Sequence, residues 1–198
     1  MSAERVISMN NSNGDKVKTM TVSALLCALG ILIPMTFPSL KPEPASFTLA
    51  SHVPLIIAMF ISPTVTAFVA VVTTLGFLIN FPLVVALRAL SHLIFSLIGA
   101  FILKKNNNLL LSYKNTAIFA FTLSLIHGIC EVAVVSYFYW VVGMTDIFYE
   151  KGYLYTVVLL VGLGTVIHSL VDFSIAIFVW KPLQYIISIP ANAKIKIK

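Results

Sequence analysis

The chain has 198 residues, of which 59% are apolar and 10% charged, and a mean hydropathy of +1.00. Soluble domains run at about 45–50% apolar and about 25% charged, so a water-soluble globule is excluded and an all-α membrane protein in one bundle is predicted. The net charge of +6 lies in lysines of short loops and tails, which excludes a nucleic-acid surface.

Residues 1–17 are polar and predict a flexible cytoplasmic leader. A basic start before an apolar run is also the layout of a signal peptide. This run, however, is long, holds Pro34 and ends at Phe37-Pro38 without a small-x-small cleavage site, so it predicts a first membrane helix over 18–37. Three prolines, Lys41 and Glu43 make 37–46 a loop. From 47 to 81 the chain is almost continuously apolar, broken only at Ser62-Pro63. A span over 81–103 carries Arg88 and His92. A basic loop follows at 104–114, then a span over 116–142, a loop with Asp146, Glu150 and Lys151, and a last span over 153–179. The membrane domain is expected to cover 18–182, leaving 183–198 as a basic cytoplasmic tail.

Charge sets the expected orientation. With both termini and the 104–114 loop in the cytoplasm, Arg5, Lys16, Lys18, Lys104, Lys105, Lys114, Lys181, Lys194, Lys196 and Lys198 lie inside, against Lys41 and Lys151 outside. The 47–81 stretch must then enter and return, as two short spans hinged at Pro63. Six transmembrane helices with both ends cytoplasmic follow.

The polar residues within these spans form i,i+4 pairs: Arg88/His92, His127/Glu131 and His168/Asp172. Each pair shares one helix face, and lipid offers no partners, so the faces point inward. Counting at 1.5 Å per residue puts Arg88 roughly 9 Å below the outer boundary and Glu131 roughly 22 Å above the inner one, near one level. His92 and His127 fall just below. A single pocket of Arg88, His92, His127 and Glu131 is expected, with Asn80 and His52 at its mouth. Arg88 would grip a carboxylate through paired N–H donors; the plainer alternative is an ion pair that only fixes helix packing. His168 and Asp172 come out deeper and read as a local hydrogen bond. Histidines at different depths argue against a metal site. Tyr137, Tyr139 and Trp140 read as an interfacial belt. Cys27 and Cys130 sit in apolar segments and read as free, buried thiols. No phosphate-binding loop and no assembled nucleophile is present, so no enzyme and no bound cofactor is expected.

Six spans, a basic inner face, the small-residue spacing Ala24-Leu-Leu-Cys-Ala28 and a proline-rich loop before span two resemble the S components of energy-coupling factor (ECF) vitamin transporters. Residues 44–63 and Arg88-Ala-Leu-Ser-His92 resemble the pantothenate-type branch, PanT, with the niacin type as nearest competitor. The resemblance implies a substrate-binding subunit in a bacterial cell membrane that captures pantothenate under the 37–46 loop. It also implies docking through Ala24 and Ala28 onto the transmembrane coupling protein EcfT, driven by two cytoplasmic ATPases, EcfA and EcfA', which hold the ATP and Mg. A niacin-type S component and a self-sufficient proton-coupled carrier using Glu131, Asp172 and the histidines are the alternatives.

Overall fold

Proline fixes the helix boundaries between residues 36 and 83 in the computed structural model, which describes residues 3–40, 47–187 and 189–196. Helix α1 (Ala3–Thr36) ends just before Phe37-Pro38, since a residue preceding proline is pushed out of the helical region. Two-residue strands β1 (Ser39–Leu40) and β2 (Phe47–Thr48) pair antiparallel. The centre of the loop, 41–46 with Lys41, lies outside the described residues. Helices α2 (Val53–Ile61) and α3 (Pro63–Asn80) are separated by Ser62 alone, which is extended at φ −169°. Its hydroxyl accepts the Val65 N–H at 3.2 Å, and Pro63 takes the first helical position, where no N–H is needed.

Phe81 is extended before Pro82, and α4 (Leu83–Lys105) closes on Lys104 and Lys105, cations at the negative end of the helix dipole. Helix α5 (Tyr113–Tyr137) continues as π-helix over Phe138–Val142 and breaks at Gly143, where φ is +96°. A short α6 (Ile147–Glu150) leads into ten π-helical residues, Leu154–Leu163, and α7 (Gly164–Ile186).

Among the described residues five helical segments are long and apolar enough to cross a bilayer: Asn13–Thr36, Pro63–Asn80, Leu83–Lys105, Tyr113–Val142 and Leu154–Ile186. The expected second span is not among them. Helix α2 has nine residues, roughly 13–14 Å against a hydrocarbon core of about 30 Å. All nine are buried, because α2 runs through the middle of the bundle, against α1, α3, α4 and α7. Its Ala58, Met59, Phe60 and Ile61 centre the main core cluster with Phe95, Phe119, Phe173 and Trp180. The chain is also helical from Ala3 rather than from 18, and the expected domain end at 182 falls inside α7.

The carboxyl-terminal segment is packed rather than free over its described part. The N–H groups of Asn192 and Ala193 donate to the Phe60 carbonyl at 3.0 and 2.9 Å, so the tail satisfies a carbonyl in the last turn of α2 that no helical N–H reaches. Trp180 Nε1 donates to the Ala193 carbonyl at 3.2 Å, and Gln184 bonds both the carbonyl and the N–H of Ile195. Lys194 N–H meets the Asn107 carbonyl at 3.3 Å, which puts the end of α2, the loop after α4 and the tail on one face. Replacing Gln184 by alanine removes both of its bonds to Ile195, and a loss of roughly 1–3 kcal/mol is expected. Thermal unfolding in detergent should show a fall of a few degrees in Tm; an unchanged Tm would mean the tail contributes nothing.

Candidate functional site

Helix α4 supplies Arg88 and His92 on one face, and α5 supplies His127 and Glu131 on the facing one. Glu131 is buried at 2% exposure. One carboxylate oxygen, Oε2, accepts from Arg88 Nε, and the other, Oε1, accepts from His92 Nε2 at 3.0 Å. Bonding through Nε leaves the two terminal nitrogens of the guanidinium, and Arg88 lines a cavity. His127 Nδ1 is 2.6 Å from Ser169 Oγ on α7. Helix α5 comes this close to the π-helical turns leading into α7 because Gly128 faces Gly162: a Cβ on Gly128 would lie 3.0 Å from the Gly162 carbonyl oxygen.

His168 and Asp172 belong to the same network, contrary to the reading that set them apart. Asp172 is fully buried and clamps the chain that enters before α2. Its Oδ1 accepts the Ala50 N–H at 2.8 Å, and its Oδ2 accepts the His52 N–H at 2.9 Å and His52 Nδ1 at 3.0 Å. Ala50 sits at φ +65°, a left-handed conformation that costs an alanine roughly 1 kcal/mol and that the clamp holds in place. Ser51 Oγ lies 3.1 Å from His168 Nε2. His52 thus lies inside the bundle, its ring centroid 4.8 Å from those of His92 and His127 and 5.0 Å from that of His168.

The cavity above these rings has a volume of about 440 Å³, within the ordinary range for small-molecule sites. Its apolar walls include Phe37, Phe47, Phe77, Phe81 and Leu55; Arg88, His52, His92, His127, Glu131, His168 and Thr73 supply the polar part. Thr73 Oγ1 and His127 Nε2, both on the cavity, are buried and have no hydrogen-bond partner in the protein. His127 Nε2 lies 3.5 Å from Glu131 Oε1; buried polar atoms are normally satisfied, so the Thr73 hydroxyl marks where a ligand would bond.

Asn80 is not part of the lining. Its side chain is exposed and donates to the Gly76 carbonyl one turn back at 2.8 Å. Ala24 and Ala28 are exposed on the outer face of α1, next to Leu25 and Leu29. The aromatic belt divides: Tyr137 and Trp140 face outward, while Tyr139 is buried against Tyr149 and Tyr153. Cys27 is buried and Cys130 half-buried, both as free thiols. Ser51, Ala50, Ser169 and Thr73 gave no signal in the sequence, since small polar residues and alanine are ordinary in membrane helices.

Five helical segments long and apolar enough to cross a bilayer, packed around a lined cavity, define the class of multi-pass membrane proteins. The chain is 44% identical over 176 residues, 88% of its length and 78% of the other's, to the niacin transporter NiaX of Lactococcus lactis subsp. cremoris. It belongs to that transporter's family, the S components of energy-coupling factor systems. No family model and no solved structure matches. The relative is a niacin transporter, so the pantothenate expectation drawn from residues 44–104 is not supported.

The clamp generates a paired prediction. Asp172→Asn cannot accept all of its present N–H donors, and a loss of about 1–3 kcal/mol is expected; Ala50→Gly relieves the left-handed strain and is expected to raise stability by up to about 1 kcal/mol. Thermal unfolding of both variants checks the opposite signs.

Proposed function

We propose that this chain is the niacin-capturing subunit of an ATP-driven importer. The observation that carries the reading is the Arg88 guanidinium, oriented by Glu131 through Nε with its terminal nitrogens left over at the cavity. A carboxylate binds such a nitrogen pair in plane and with charge assistance. Phe77 and Phe81, with centroids 4.8 Å apart, offer a wall for a flat ring, and the Thr73 hydroxyl, which has no hydrogen-bond partner, offers a donor for a ring nitrogen. The 44% identity to a niacin transporter favours nicotinate over other small acids.

In this reading six crossings are made. The second consists of non-helical chain up to His52 followed by α2; irregular backbone at membrane depth is tolerated where it lines a cavity and its N–H groups are bonded, as Ala50 and His52 are by Asp172. Both termini are then cytoplasmic, in a bacterial cell membrane. Ala24 and Ala28 offer a flat strip for a coupling protein, and hydrolysis of ATP belongs to partner ATPases.

Calorimetry on the purified protein tests the substrate. Nicotinate is expected to bind, nicotinamide and pantothenate to bind much more weakly, and Arg88→Gln to lose about 100-fold in nicotinate affinity, since two charge-assisted bonds go at about 1.5 kcal/mol or more each. No nicotinate binding by the wild type would overturn the assignment. For docking, Ala24→Trp or Ala28→Trp is expected to leave nicotinate affinity unchanged and to abolish co-purification with the coupling protein; normal yield of the complex counts against the strip.

A further inference from the structure

The four histidines converge with more order than a ligand carboxylate requires. One donor atom from each of His52, His92 and His127 lies within 4.8 Å of the others. Each ring is also held through one of its nitrogens. His52 Nδ1 is held by Asp172 Oδ2 at 3.0 Å, His92 Nε2 by Glu131 Oε1 at 3.0 Å, and His127 Nδ1 by Ser169 Oγ at 2.6 Å. An ionised carboxylate only accepts, so the hydrogen sits on the held nitrogen in His52 and His92, and the other nitrogen presents a lone pair. In the tautomer whose Nδ1–H donates to Ser169, His127 Nε2 does the same; that atom is buried, makes no hydrogen bond and lies 3.5 Å from Glu131 Oε1. Hydrogen bonds to oxygens that fix the orientation of a histidine ring are common around histidine metal sites.

We propose that His52, His92 and His127 bind one divalent transition-metal ion of the zinc type at the floor of the cavity. Neutral imidazoles suit Zn2+, Ni2+ and Co2+ rather than Mg2+ or Ca2+. A tetrahedral ion at 2.0–2.1 Å from each nitrogen needs them roughly 3.4 Å apart, so the rings close by about 1.5 Å or less, within reach of side-chain rotation. With neutral rings, Arg88, Glu131 and Asp172 together leave one net negative charge around the ion. The alternative trio of His52, His168 and Asp172 is also within 4.8 Å. Its Asp172 oxygens, though, are already occupied by the Ala50 and His52 N–H groups and the His52 ring. The fourth position faces the cavity, where the three rings form part of the lining, and is open to water or to a ligand oxygen or nitrogen.

Ion binding is read without any vitamin, so this proposal and the niacin reading can fail separately. The untagged full-length protein in detergent, stripped with a chelator, is titrated with Zn2+ by calorimetry and with Co2+ by visible absorption. One ion per chain and a tetrahedral Co2+ spectrum are expected. His52→Ala and His127→Ala are each expected to weaken binding at least ten-fold, and His168→Ala by much less. X-ray absorption on the zinc-loaded wild type, which needs no variant to fold, should find three imidazole nitrogens near 2.0 Å. No saturable ion, fewer than three imidazoles, or a larger loss in His168→Ala than in His127→Ala would overturn the assignment.

Discussion

The buried carboxylate of Glu131 is the constraint on which the centre of the molecule depends. An ionised group at 2% exposure in a membrane bundle must be matched by charge and by hydrogen bonds, and removing a partner is far costlier than never having had the pair. Arg88 supplies the charge and His92 a further donor. The pair ties α4 to α5 and fixes the plane of the guanidinium. A cation in that position is costly to keep in lipid, and packing alone would be served as well by apolar residues. Its remaining donors open on a cavity instead.

Asp172 does for the backbone what Glu131 does for the side chains. The chain between β2 and α2 enters the bundle without helical hydrogen bonds, a situation tolerated in membranes only where other groups take the free N–H donors. One carboxylate takes two of them and a ring nitrogen besides. Phe47 packs in the same region, where a Cβ on Gly164 would lie 2.7 Å from its ring, so a glycine on α7 makes room for the strap. The histidine cluster exists because this strap carries His52 down to the level of His92 and His127.

Much of this was legible in the sequence. The i,i+4 pairs and a count of residues from the span ends were enough to bring Arg88 to the level of Glu131, because α4 and α5 are regular helices over that distance. The same count misplaced His168 and Asp172. It assumed regular α-helix from Tyr153 onward, whereas Leu154–Leu163 is π-helix, whose wider turns rise less per residue. His52 was set at the mouth because a full-length second span was expected; with α2 only nine residues long, its first turn starts deep inside. Hydropathy could not show this, since 47–61 is as apolar as a spanning helix would be. Asn80 went astray for a local reason: its amide finds the Gly76 carbonyl on its own helix and turns away from the cavity.

The clamp also bears on how the molecule is made. Ala50 and Asp172 are 122 positions apart, and α2 is too short to be held by lipid on its own and has no face that is not covered by neighbours. During synthesis the strap therefore waits, without the oxygen atoms it needs, until the final helix has left the ribosome. The cavity cannot close until Asp172 has been made.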